Sequence, residues 1–213
     1  MKVERAQVDW GFWLQWVLAS IVGWALGVIM SLLVSAIAPV VGAIPVVGGS
    51  IVGAGVGIMQ WLVLRRRFHR AGWWVLASTM GSAVGWAVGQ NLIEPVTMFL
   101  SRYEEALGGR VVVSLSVFGV IFGGMVGTMQ WLVLRRWVYR AGWWILANTL
   151  GWATAFLADP VVVLALWPSA VLATIMGEVT FGAVLGAITG VTLVWLSRHS
   201  FPGAQEQGQP RQP

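Results

Sequence analysis

The sequence predicts an all-α fold: a polytopic membrane bundle of six transmembrane helices, built as three repeated helical hairpins. Three observations carry that expectation. Hydrophobic residues make up 58% of the 213, charged residues only 10%, and mean hydropathy is +0.79. A soluble domain of this size cannot bury so much apolar surface, whereas a bilayer can. The heptapeptide QWLVLRR at 60–66 returns at 130–136, and the whole block 57–76 aligns with 127–146. Self-similarity at a fixed interval marks tandem structural units. Finally, seven of the 12 arginines fall in two short loops between apolar stretches, as loops flanking membrane spans require.

A membrane span needs about 20 mostly apolar residues. Six segments qualify, at 12–38, 44–64, 72–92, 111–134, 142–158 and 170–196. Residues 1–9 carry mixed charge with no small-residue cleavage site after a short apolar run, so the first span reads as a retained anchor. The expected units are hairpins at 10–70, 71–140 and 141–198. Each odd-numbered span opens on a shared pattern: Trp16-Val-Leu-Ala-Ser20, Trp74-Val-Leu-Ala-Ser78 and Trp144-Ile-Leu-Ala-Asn148, with Gly23, Gly81 and Gly151 three residues on. Each even-numbered span carries a ladder of glycines at every fourth position: Gly49/Gly53/Gly57, Gly119/Gly123/Gly127 and Gly182/Gly186/Gly190. Lipid supplies little hydrophobic force between helices, so such stripes hold them by close backbone contact.

The outer connections are read differently. Glu94-Pro95 and Asp159-Pro160 resemble helix starts, an acidic cap followed by proline in the first turn. After Pro95, apolar residues at helical spacing predict a short interfacial helix near 95–107, lying on the outer membrane surface. The tail 199–213 has no apolar period and is expected to be disordered.

Charge sets the expected orientation. Lys2, Arg5, the loops RRRFHR (65–70) and RRWVYR (135–140), Arg198 and Arg211 place 11 Lys or Arg on one side, against Glu4, Asp9 and Glu206. The opposite side has Arg102 and Arg110 against Glu94, Glu104, Glu105 and Asp159. Basic loops stay inside, so both termini should be cytoplasmic in a bacterial inner membrane. The pI near 11.1 then records topology, and a nucleic-acid role is not expected because no continuous basic face exists. Eleven of the 15 tryptophans, among them Trp16, Trp74 and Trp144, fall near the arginine edge and read as an interfacial belt. Arg65, Arg66, Arg70, Arg135, Arg136 and Arg140 are the expected contacts to lipid headgroups or to a partner.

Few polar residues lie inside the spans. Gln60 and Gln130 share a face with the glycine ladders and so point at a neighbouring helix. Either they form interhelical hydrogen bonds or they line a polar vestibule; Asn148, the counterpart of Ser20 and Ser78, is the expected partner. Glu178 stands four residues before Gly182, where the other ladders have glycine. A carboxylate within a span is costly and often marks an ion or proton path, but Glu178 lies about two turns from its helix end, within reach of interfacial water. Both readings stay open.

The blocks QWLVLRR and RAGWWVLA, with their GW and GxxxG punctuation, resemble a family of bacterial multi-pass membrane proteins built from the same repeats. The likeness covers most of residues 10–160 and weakens in the third unit, where Thr189 and Gly190 replace Gln-Trp. It implies the membrane class and no activity. Catalytic constellations are missing: Asp9 and Asp159 are the two aspartates and sit on opposite sides, and both histidines, His69 and His199, lie outside the spans. There is no HExxH, no GxxxxGK and no cysteine. The expected role is therefore non-enzymatic and cofactor-free: an assembly or interaction module with membrane lipids, other subunits or its own copies as partners. The alternative is a small transporter or channel with a polar path through Glu178, Gln60, Gln130 and Asn148.

Overall fold

The computed structural model of the chain describes residues 10–42, 44–68, 70–100, 109–166 and 169–198. They form seven α-helices and no strand: α1 (Trp10–Ile37), the single turn α2 (Pro39–Gly42), α3 (Pro45–Leu64), α4 (Trp73–Leu100), α5 (Arg110–Leu134), α6 (Trp143–Ala165) and α7 (Ala170–Arg198). Helices α1, α3, α5, α6 and α7 are long and apolar enough to cross a membrane, and the chain is an integral membrane protein. Helix α4 is as long as α1 but carries serine, glycine, Gln90 and Asn91 where the others carry aliphatics, and falls short of that standard by composition. Its packing nevertheless runs its length. Gly57, Gly53 and Gly49 of α3 approach Ser78, Ser82 and Trp86 in turn, while Gly81, Gly85 and Gly89 of α4 approach Val126, Phe122 and Phe118 of α5.

The six long helices close into a ring, in the order α1, α3, α4, α5, α6, α7 and back to α1. Every neighbour is antiparallel, because contacts ascend one helix as they descend the next. Each glycine stripe faces the following helix. Stripes of α1, α4 and α6 close the hairpins, with Gly23 on Val56, Gly81 on Val126 and Gly151 on Leu185. Stripes of α3 and α5 join one hairpin to the next, with Gly53 on Ser82 and Gly123 on Asn148. Helix α7 repeats that second contact on α1, Gly182 on Ile21 and Gly186 on Val17, although no chain links the two. The three hairpins thus make a closed, pseudo-threefold ring held by one kind of close approach.

Two expectations about the end opposite the arginine loops are corrected. Glu94-Pro95 and Asp159-Pro160 do not start helices; Pro95 lies inside α4 and Pro160 inside α6. Proline removes one backbone hydrogen bond, but ending a helix among apolar neighbours would strand several backbone groups, so the helix continues through. The Thr97 hydroxyl, two residues beyond Pro95, donates to the carbonyls of Ile93 and Glu94. Residues 95–100 are therefore the last turn and a half of α4, and the remainder of the interfacial helix expected to 107 falls outside the described residues. So do residues 1–9, His69 and the tail 199–213.

Candidate functional site

The only polar layer buried across the middle of the ring is built by the repeat itself, among the described residues. Trp74 sits four residues before Ser78 and seven before Gly81, on the stripe of α4 that faces inward, and Trp16 and Trp144 hold the same place on α1 and α6. All three indoles are fully buried and meet edge to face at the ring's axis, with centroids 5.5, 5.9 and 6.0 Å apart. This corrects the expectation that they belong to the interfacial belt. Trp10, Trp73 and Trp143 remain well exposed at the arginine end, as a belt requires. The inner three differ because each indole N–H finds a buried acceptor, which removes the reason to stay at a wet surface.

Those acceptors are the expected polar residues. The Trp74 N–H donates to Gln60 Oε1 (3.0 Å), and the Trp144 N–H to Gln130 Oε1 (2.9 Å). The Gln60 amide in turn donates to Ser20 Oγ (3.2 Å), and the Gln130 amide to Ser78 Oγ (2.9 Å). Each serine passes its own proton to the carbonyl one turn back, on Trp16 and on Trp74. Every glutamine therefore ties three consecutive helices together. In the third unit the Trp16 N–H donates to Thr189 Oγ1 (3.0 Å), and Thr189 donates to the Leu185 carbonyl. Thr189 stands where the other units have glutamine, and Asn148 where they have serine. The amide thus stands on α6 and the hydroxyl on α7, the reverse of the other two hairpins, and both side chains border the same small space.

One turn farther out lies a second aromatic layer. Trp24 stacks on Phe181 with centroids 3.9 Å apart and meets Trp152 at 5.5 Å, and Phe122 lies 4.4 Å from Trp152. The second unit breaks the pattern, with Ser82 in the place of Trp24 and Trp152, and its indole one turn farther on at Trp86. The Trp86 N–H is buried without an acceptor among the described residues. Between the two layers is a space of about 10 Å³ bordered by Gln60, Gln130, Asn148, Thr189, Ser78 and Ser82. That is room for about one water molecule. The structure thus brings Gln60, Gln130 and Asn148 together, with Asn148 also donating to its own Trp144 carbonyl.

Glu178 stands apart from this space. Its half-buried carboxylate accepts the Trp24 N–H across the α1–α7 contact, and Asp159 of α6 packs against the adjacent Gly177. The arginine end is organised separately again. Arg65, Arg66, Arg70, Arg135, Arg136 and Arg140 are all exposed, and the guanidinium groups of Arg65 and Arg135 lie over the rings of Trp61 and Trp131 at 5.1 and 5.0 Å. Phe68 and Trp137 stack at 4.9 Å, which joins the two loops.

The inner tryptophans, Ser82 and the exchange at Asn148 and Thr189 were missed by sequence reasoning. The spacing of Trp74, Ser78 and Gly81 was a usable signal, since it places the indole on the packed stripe. The described residues contain no group of three metal-ligating side chains. No protein family, curated protein or solved structure matches the chain.

Proposed function

We propose that this protein is a non-enzymatic module of a bacterial cytoplasmic membrane, with both termini inside, whose task is to hold other membrane subunits or further copies of itself. The observation that carries this reading is the sealed axis. Two aromatic layers fill the ring on either side of the polar layer, and the space between them is about 10 Å³. The side chains at the centre are occupied by hydrogen bonds to one another, each worth about 1 kcal/mol in a membrane. A ring packed closed at its axis leaves its outer surface and its arginine end as the means of interaction. Transport finds less support, because Glu178 bonds to Trp24 and does not border the space shared by Gln60, Gln130 and Asn148.

Mass measurement of the protein extracted in a gentle detergent tests the proposal. Stable self-association or a reproducible membrane partner is expected. Isolation as a bare monomer from native membranes, with no partner after cross-linking in place, overturns it.

A further inference from the structure

Arg70 and Arg140 are the only non-glycine residues with positive φ among those described, at 58° and 62°. They occupy the same place in the two arginine loops. Holding an L-residue there costs about 1–2 kcal/mol, and the cost is accepted twice although a glycine stands two positions on in both loops. Neither guanidinium has a hydrogen bond, ion pair or ring contact among the described residues, whereas Arg65 and Arg135 rest on tryptophans. Beside Arg140 a shallow, open groove is bordered by Gly142, Trp143 and Leu146. A methyl placed on Gly142 would meet nothing within 4 Å, and the same holds for Gly72. Trp143, Leu146 and Leu150 are spaced 3 and 4 apart, on one face of α6 and about half exposed; Trp73, Leu76 and Met80 repeat this on α4.

We infer that these are two equivalent sites for an anionic phospholipid: Arg70 and Arg140 each hold a headgroup phosphate, and an acyl chain lies along the apolar face running from the groove into the bilayer. The inference rests on the orientation proposed above, which turns the arginine end toward the anionic cytoplasmic leaflet. A cation with no partner among the described residues, set above an apolar strip, matches the two halves of such a lipid, and an interfacial indole at the junction suits the headgroup level. The first unit has Phe12, Leu14 and Gln15 where the others have arginine, glycine and tryptophan, so the number of sites is two.

Native mass spectrometry of the full chain in mild detergent, titrated with phosphatidylglycerol or phosphatidylcholine, tests this. Two phosphatidylglycerol molecules should bind in preference to phosphatidylcholine. Arg140→Ala should weaken one site about fivefold and R70A/R140A both, while arginine-to-lysine variants keep most of the affinity. Alanine retains a Cβ, so the loop conformation is not relieved, and melting temperature checks that the fold is intact. Gly142→Leu, which puts a side chain on the open floor of the groove without altering charge, should also weaken one lipid site and serves if the arginine variants fold poorly. Unchanged phosphatidylglycerol binding by R70A/R140A, equal binding of both lipids by the unaltered protein, or displacement of the lipid by inorganic phosphate overturns the assignment. Lipid is counted on each protein mass separately, so an absence of self-association would contradict the proposed role without touching this result.

Discussion

Adding one methyl group at Gly182 should loosen the protein, although alanine is the better helix former. The Cβ of Gly182→Ala would lie 2.6 Å from the Cα of Ile21 and 3.2 Å from the carbonyl oxygen of Ser20. Comfortable carbon–carbon contact is about 3.5–4.0 Å, and neither obstacle is the free end of a flexible side chain. Helices α7 and α1 must part by about 1 Å along the seam that closes the ring. Overpacking of this kind costs about 1–3 kcal/mol, against a gain of about 0.4–1 kcal/mol from replacing glycine in a helix. The net loss is about 1–2 kcal/mol, a fall in melting temperature of roughly 2–8 °C for a chain of this length. Gly124→Ala is the control. Its nearest neighbour would be Thr149 Oγ1 at 3.8 Å, so only the helix-propensity gain remains and the variant should be unchanged or slightly more stable. Both are measured by thermal melting of the purified protein in one detergent, with titration by a denaturing detergent as a second readout. If Gly182→Ala is as stable as Gly124→Ala, the stripes do not hold the helices together and the packing argument fails.

Three further outcomes follow from the polar layer and from Glu178. Thr189→Gln alone should crowd the long Asn148 and destabilise, as should Asn148→Ser by leaving a gap, but the double variant restores the pairing of the other units; a double-mutant cycle in melting free energy should show favourable coupling of about 0.5–3 kcal/mol, and strict additivity would refute the exchange. Gln130→Leu strands the Trp144 N–H and removes the bond to Ser78, so it should cost about 1–3 kcal/mol and alter tryptophan fluorescence; unchanged stability would show that the layer contributes nothing. Glu178→Gln keeps an acceptor for Trp24 and should leave melting within about 0.5 kcal/mol, whereas Glu178→Leu should fall clearly below it. Ion flux in reconstituted vesicles that Glu178→Gln abolishes would instead return the residue to a transport path.

What was legible in the sequence was periodic. Glycine every fourth residue announced packed faces, and the repeat of Gln60 at Gln130 announced a shared neighbour, because spacing on a helix fixes direction around it. Which helix each stripe meets was not legible, since that depends on how three hairpins close around an axis. The burial of Trp16, Trp74 and Trp144 was obscured by composition: tryptophan near a basic loop usually marks the interface, and only the acceptors on Gln60, Gln130 and Thr189 make the interior preferable. Pro95 and Pro160 misled for a related reason. Proline after an acidic residue starts helices in water, but in a helix surrounded by lipid one missing hydrogen bond is the lesser loss. The exchange at Asn148 and Thr189 involves residues 41 positions apart, on different helices that only the closing of the third hairpin brings together.

The seam between α7 and α1 is where the account is most exposed, because no loop enforces it. The chain has no cysteine of its own, so Ser20→Cys with Gly186→Cys can report on that seam directly. The Cβ at position 186 would lie 2.9 Å from Ser20 Cβ and 2.9 Å from Val17 Cα, so the helices part by about 1 Å as at Gly182, which brings the two Cβ atoms to the roughly 3.8 Å a disulfide takes. Oxidation in native membranes should give a fast, nearly complete intramolecular link, while Ser20→Cys paired with Thr128→Cys, across the ring, stays reduced. A first pair that remains reduced, or that links separate chains, would contradict the closed ring.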